Sequence, residues 1–426
     1  MTTSMATADL EQEVITTQLD LSKKSRDVRL SRRISTAVRS FRVLKNLTPE
    51  QVDNFMKSYQ IYSLDWADEK LMVDALGPDY QKKVGECLAD YYSVLNHLCA
   101  LGEVEKMYIP PAIDLSQNLA MNQILYEERI ANELKLPPNA KVLELGCGRG
   151  RVAAHISRVA PGTQITGLNI DSDQIASAKI FNKHQRLSNQ FQVHDFNELP
   201  LPLPTNHFDS FYEIQAFSLA KDHLKLCQEL YRVLKPGARL SILDYVSLPA
   251  YEPEDPHHQK LMQRVKPLLG AVGTPTPQSM IDALEAAGFE VLEHGNASTG
   301  CDGLQAPLIE KADGYFKRAK ATIFAGVRLG LLPPHFKTLF NRLTQDCDAF
   351  IEADRARLIT TTYHWLAVKP KLNDDSAYGS LASSERALHV HTPSPAALSE
   401  AGSSSQLATP HSEPNPETSP APSTRV

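Results

Sequence analysis

Residues 141–150 read Lys-Val-Leu-Glu-Leu-Gly-Cys-Gly-Arg-Gly, and this stretch decides the fold. Val142, Leu143 and Leu145 make the short apolar run of a buried parallel strand. Gly146, Gly148 and Gly150 follow at once. From Arg151 to Val159 the spacing of Val152, Ile156 and Val159 is helical. Strand, glycine turn and helix are the first half of a nucleotide-binding βαβ unit. The glycines admit positive φ and let a ligand lie against bare backbone. The spacing is Gly-x-Gly-x-Gly, whereas a dinucleotide fingerprint is Gly-x-Gly-x-x-Gly, and the acidic Glu144 precedes the first glycine. A pyrophosphate beside Glu144 would be repelled, which makes a nicotinamide dehydrogenase the weaker reading. S-adenosylmethionine (SAM) carries a sulfonium and an ammonium and no phosphate. The turn Glu144, Gly146, Cys147 and Gly148 is therefore expected to seat SAM.

Working outward, Gln164 to Leu168 predicts the second strand. Asn169 at its end is placed to meet the ribose hydroxyls, with Asp171 in reserve. A helix opens at Asp173, Gln174 and Ile175 and runs to about His184. Phe191 to His194 predicts strand three, ending in Asp195 and Phe196. There a carboxylate suits an adenine amino group and a phenyl ring suits the base. Strand four is expected over Phe208 to Ile214, followed by a pocket-lining loop from Gln215 to His223 that includes Phe217. Arg232 to Gly237 predicts a helix end and turn, and Ala238 to Leu243 a fifth strand ending in Asp244 and Tyr245.

Four stretches together resemble the sterol 24-C-methyltransferase family: Gly167 to Lys179, Leu230 to Gly237, Asp90 to Leu95 and Pro277 to Leu292. The resemblance spans about residues 90–370. It implies an α/β fold: a Rossmann-like, seven-stranded class I methyltransferase sheet with helical additions. It also implies that Glu144, Gly146, Gly148, Asn169, Gln174 and Asp195 contact SAM. The substrate half departs from the pattern. The family's Tyr-Glu-Tyr-Gly-Trp-Gly stretch is here Leu98 to Tyr108. Its Ile-Glu-Ala-Thr-Cys-His-Ala is here Ile214-Gln-Ala-Phe-Ser-Leu-Ala220, and an acidic run is replaced by Arg264 to Gly270. Alkene methylation makes a carbocation, which wants carboxylates and aromatic faces nearby. A lining of Gln215, Phe217, Val104 and Lys266, with Tyr108, suits a deprotonated hydroxyl or electron-rich carbon better. The expectation is a diverged enzyme for another lipophilic small molecule (a secondary metabolite, terpenoid or sterol-like compound) without turnover of zymosterol-type sterols. Side-chain methylation of sterols is the alternative, and an inactive scaffold of the same fold is the reading from another class. The intact cofactor loop favours the enzyme.

The bulk properties agree. A chain of 426 residues holds one large domain or two. A net charge of −6 gives no overall nucleic-acid surface. Cysteines at 87, 99, 147, 227, 301 and 347 form no Cys-x-x-Cys pair. That excludes a zinc framework and suits a reducing, cytoplasmic compartment; no metal is called for. No signal peptide or membrane span is read. Residues 1–45 form a basic arm, expected to be partly disordered, and a peripheral contact with an internal membrane is left open. Residues 46–136 read as a helical cap, with Thr48, Pro49 and Gln51 as a helix start. Residues 137–293 read as the SAM-binding core. Residues 294–370 read as a helical addition whose 322–332 stretch covers the pocket and whose end, Leu358 to Val368, is the last, antiparallel strand. Residues 371–426, rich in Ser and Pro, are expected to be disordered. Oligomeric state is not legible.

Methyl transfer to an alcohol or phenol needs a base. His223, Asp244 and Tyr245 qualify by their place at the C-terminal edge of the sheet, and Tyr92 by resemblance. His155, in the first core helix, reads as structural.

Overall fold

The computed structural model describes residues 37–101 and 106–371, the side chains of Ala100 and Tyr315 excepted. Most of the basic arm, Val104 and the tail from residue 372 lie outside them. Seven strands form one sheet: β1 (Lys141–Leu145), β2 (Gln164–Asn169), β3 (Gln190–Val193), β4 (Phe208–Ile214), β5 (Leu234–Ser247), β6 (Glu290–Asn296) and β7 (Ile359–Val368). Their order is β3-β2-β1-β4-β5-β7-β6. β7 runs antiparallel to both β5 and β6, and the remaining pairs are parallel. This is the class I methyltransferase sheet that the resemblance implies.

Twelve helices are used below, numbered in chain order: α1 (Pro49–Ser58), α2 (Glu69–Leu76), α3 (Tyr80–Leu101), α4 (Leu119–Glu133), α5 (Arg151–Val159), α6 (Ser172–Gln185), α7 (His223–Val233), α8 (Pro256–Leu269), α9 (Pro277–Ala286), α10 (Ala306–Arg328), α11 (His335–Thr344) and α12 (Cys347–Arg355). A helical stretch over residues 37–45 precedes them. Strand alternation divides the core. Leu143, Leu145, Phe211 and Ile242 face α7 and α9, joining Leu226, Leu230, Met280, Leu284 and Trp365. Val142, Tyr212 and Leu243 face the other way, against Tyr126 and Ile130 of α4, Val152 and Ile156 of α5, and Ile175 and Ala178 of α6. A separate apolar cluster joins residues 37–45, α1, α2, α3 and α11. It reaches the sheet's loops through Leu219 and Val272.

α1 starts as its sequence predicts. Thr48 Oγ1 accepts from the Gln51 amide at 3.2 Å and Gln51 Oε1 accepts from the Thr48 amide at 2.9 Å. Two expectations need correction. The fifth strand begins at Leu234, because the backbone pairing of Leu234 with Phe208 and a register shift before Ser210 take Lys235-Pro-Gly237 into the strand. It also continues to Ser247, so Asp244 and Tyr245 lie within it rather than beyond it. The 322–332 stretch does not cover the pocket. It belongs mainly to α10, and Ile323, Phe324, Val327 and Leu332 pack on the α1–α3 cluster.

Candidate cofactor and substrate site

One cavity opens at the C-terminal edge of β1, β2 and β4. The glycine turn forms its floor. Gly146 has φ +70°, and a Cβ there would stand 2.6 Å from Ala216 Cβ; Gly148 has φ +50°, with Gln174 Oε1 3.1 Å from such an atom. Gly146 excludes a side chain by conformation and by space, and Gly148 by its positive φ, with the Gln174 side chain close enough that it would have to shift. The turn is tied by the Cys147 amide donating to the Leu168 carbonyl at 3.1 Å and the Gly148 amide donating to Asn169 Oδ1 at 3.3 Å. Cys147, Asn169, Gln174, Asp195 and Phe196 all line the cavity.

Glu144 also lines it, on the β1 face that carries Val142 and beside Tyr212 of β4 in register. Its Oε2 is buried without a hydrogen-bond partner. Burial pushes this carboxyl up to about 8, against the pull of the Tyr212 hydroxyl. Asn169 and the strand backbone therefore hold the turn, and one Glu144 oxygen is left over. An unsatisfied carboxylate oxygen in a cavity wall is costly in isolation and suits a cationic ligand. The bare turn and this oxygen together fit SAM. Asp171, the reserve ribose contact, is committed elsewhere: it caps α6 through the Asp173 and Gln174 amides at 2.8 and 3.1 Å and accepts from Gln174 Nε2 at 3.1 Å.

The candidate bases separate. Tyr92 of α3 lines the cavity, and burial raises its phenol far above its ordinary value, with Asp244 and Asp171 adding to the rise. His223, Asp244 and Tyr245 are absent from the lining. His223 Nε2 bonds the Phe217 carbonyl at 2.9 Å, and burial lowers its pKa. Tyr245 donates to Met262 Sδ at 2.8 Å beneath α8. Asp244 accepts from the Ser218 amide at 2.8 Å and the Tyr245 amide at 2.5 Å. It faces Glu213, which accepts from the Ala216 amide and, at 3.2 Å, from the Phe217 amide. Both carboxyls are raised, by burial first and, for Glu213, by the nearness of Asp244. The pair positions the β4–α7 loop from below.

The expected substrate lining also changes. Phe217 is wholly buried against Phe211 in the sheet core. Lys266 donates to the Leu64 carbonyl at 2.7 Å and pairs with Asp65 at 3.4 Å, away from the cavity. Gln215 does line the cavity, but its amide is bound to backbone. Oε1 accepts from the Ile109 amide at 2.9 Å, and Nε2 donates to the Ile109 and Thr361 carbonyls at 2.7 Å each. Tyr108 lines it with its hydroxyl donating to Glu127 Oε1 at 2.8 Å.

Sequence reasoning passed over that glutamate. Glu127 of α4 is fully buried and also meets Lys106 Nζ at 2.5 Å and His155 Nδ1 at 2.5 Å. Lys106, Met107 and Tyr108 are thereby pinned against the glycine turn as one cavity wall. Arg149, likewise unforeseen, donates to the Asn96 carbonyl at 3.0 Å and ties α3 to the turn. No local signal marks these groups, since each partner lies nineteen or more positions away in the chain. Leu88, Tyr92, Met107, Ile170, Phe196 and Leu219 give the cavity an apolar and aromatic stretch, while Arg151, His194 and Asn197 add polar groups, the His194 Nε2 bonding the Glu198 carbonyl at 3.1 Å.

The sheet, the glycine turn and the unsatisfied Glu144 define a SAM-dependent methyltransferase, and residues 143–242 match the model of a methyltransferase domain. The chain is similar to sterol methyltransferases at a diverged level. It is 29% identical over 270 residues to the sterol 24-C-methyltransferase of Pneumocystis carinii, covering 58% of this chain and 70% of that one. It is 28% identical over 257 residues to the methyltransferase phqN of Penicillium fellutanum, covering 59% and 74%. Among solved structures it is similar in fold to a putative sarcosine dimethylglycine methyltransferase from Galdieria sulphuraria (TM-score 0.53, 21% identity, 64% of this chain and 97% of that one).

Proposed function

We propose that this enzyme methylates a carbon of an apolar, isoprenoid-type alkene, sterol-like or acyclic, as part of secondary or sterol metabolism. The observation that carries the reading is the apolar and aromatic stretch of the cavity wall, Leu88, Tyr92, Met107, Ile170, Phe196 and Leu219, with His223, Asp244 and Tyr245 absent from the lining and the one imidazole in it, His194, bonded through Nε2 to the Glu198 carbonyl. A hydroxyl nucleophile needs a base at the reacting oxygen, whereas a π bond attacks without prior deprotonation. A hydroxyl nucleophile would call on Gln215, Phe217, Val104 and Lys266. Of these, Phe217 and Lys266 face elsewhere, Gln215 is bound to backbone, and Val104 is not among the described residues. SAM, when bound, supplies an electrophilic methyl on a sulfonium.

In this reading Gly146 and Gly148 admit the cofactor, Cys147 and Gln174 shape the turn around it, and Glu144 meets its positive charge. Asn169 meets the ribose, and Asp195 and Phe196 take the adenine. Tyr92 turns its ring toward the reacting carbon, where an aromatic face favours developing cationic charge by about 0.5–2 kcal/mol. Tyr92, its phenol raised by burial, keeps its own proton, and the His194 imidazole in the lining is the group available to receive the proton lost afterwards. Met107, Ile170 and Leu219 exclude water. The test is incubation with methyl-labelled SAM and parallel panels of isoprenoid alkenes and of phenols or alcohols, with mass spectrometry of the products. New carbon-bound methyl groups on the alkenes support the reading; turnover confined to the hydroxyl panel refutes it.

A further inference from the structure

The molecule carries a basic, apolar-tipped face that the cofactor site does not use. Residues 314–345 hold six cations, Lys317, Arg318, Lys320, Arg328, Lys337 and Arg342, and no carboxylate, in a chain of net charge −6. In the helical stretch 37–45, Arg39, Arg42 and Lys45 are exposed, with Val38 and Val43 exposed between them. These two segments adjoin. The His335 ring bonds the Leu44 carbonyl at 2.8 Å, and the Phe41 and Phe336 ring centres are 5.8 Å apart. Between α10 and α11 the chain turns through Leu329-Gly330-Leu331. The two leucines are 72% and 70% exposed, the highest values among the large hydrophobic residues described. Gly330, at φ +72°, sets the turn outward, and a Cβ there would meet nothing within 4 Å. Lys317 and Arg342 pair with Asp313 and Asp346. Arg39, Arg42, Lys45, Arg318, Arg328 and Lys337 are exposed on these two adjoining segments.

We propose that the Leu329–Leu331 turn and the helical stretch 37–45 form one face that docks on an anionic lipid surface. The leucines insert at the headgroup boundary and the cations lie against the lipid phosphates. Two leucines held in water have no partner on the described chain. The exposed Arg39, Arg42, Lys45, Arg328 and Lys337 would repel a second copy of the same face and favour anionic lipid. The proposal deepens the reading of an apolar substrate, which such a surface would hold, and rests on that reading only for its purpose.

The experiment is flotation of the full chain with phosphatidylcholine vesicles, with and without phosphatidylserine, at low and high salt. Wild type is expected to float with the anionic vesicles and to be released by salt as screening shortens the reach of the cations. The variants Leu329→Asp/Leu331→Asp and Arg328→Glu/Lys337→Glu should each lose about tenfold or more in partitioning. Their SAM affinity by calorimetry and their melting temperature should remain those of wild type. Equal flotation of wild type and variants, or none by wild type, overturns the proposal. So does a dimer in size-exclusion chromatography that only the leucine variant dissolves, since the face is then a self-interface. Intact flotation with no SAM binding would instead sink the methyltransferase reading and leave this one standing.

Discussion

At the scale of residues, the cofactor site is a balance of space and charge. Gly148→Val adds branched atoms at a positive φ and within 3.1 Å of Gln174 Oε1. Calorimetry should find SAM binding abolished in a protein that still folds; unchanged affinity would place the cofactor elsewhere. Glu144 is raised to about 8 by burial in the free protein. A bound cation favours its ionised form, so binding must release a proton below that pH. SAM affinity is therefore expected to climb as pH rises toward about 8 and then level off. The limiting slope is about tenfold per pH unit. In Glu144→Gln that slope should vanish, and a variant that keeps it would assign the titration to another group. Tyr245 tests the exclusion of bases. Loss of a general base costs about 10²–10⁴-fold in turnover, whereas Tyr245→Phe removes only the hydroxyl's bond to Met262 Sδ. Retained turnover in this variant is the expected result; a collapse in kcat at constant KM would restore Tyr245 as a catalytic group.

At the scale of elements, α4 matters more than its sequence announces. Glu127 gathers Lys106, Tyr108 and His155 into one buried cluster and so fixes residues 106–108 against the glycine turn. Burial alone would raise its carboxyl, but Lys106 and His155 outweigh that and hold it below its ordinary value. A carboxylate depressed by folding stabilises the native state above its unfolded pKa, and the contribution is lost as pH falls through the folded value. Glu127→Ala strands the Lys106 ammonium in a largely buried site, for which a loss of about 3–5 kcal/mol is expected. Denaturant melts at neutral and acid pH check both points: the variant should be weaker at pH 7 and should approach wild type in acid. A constant difference across that range would mean that packing, not charge, is lost. The helix falls within the 46–136 span that reads as a helical cap. Its buried carboxylate was not legible, because an acid on an amphipathic helix reads as a solvated residue until its distant partners are brought to it.

At the scale of the whole molecule, the sheet closes with β7 between β5 and β6, and the chain leaves it by Lys371. Lys369 locks that exit, its ammonium donating to Asn206 Oδ1 at 3.0 Å and to the Tyr231 and Leu234 carbonyls at 2.7 and 2.8 Å. The residues beyond are rich in Ser and Pro. Truncation after Lys371 is therefore expected to leave melting temperature and SAM affinity unchanged. A fall in either, read by calorimetry, would show that the tail contributes to the body.

The sequence by itself determined the glycine-turn side of the cavity. An apolar run, alternating glycines and a preceding acid act within ten residues, where chain connectivity fixes the geometry, and the strand ends at Asn169 and Asp195 follow from the same parallel register. Tertiary structure alone decided the substrate half. Whether Asp244, Tyr245, Phe217 or Lys266 meets a substrate depends on which face of a strand or helix is covered by elements far away in the chain. Here a loop held by paired carboxyls, α8, the sheet core and the Leu64 carbonyl cover them. Burial also turned Glu144 from an ordinary acid into an unsatisfied one, because desolvation is a property of the packed surroundings and not of the residue.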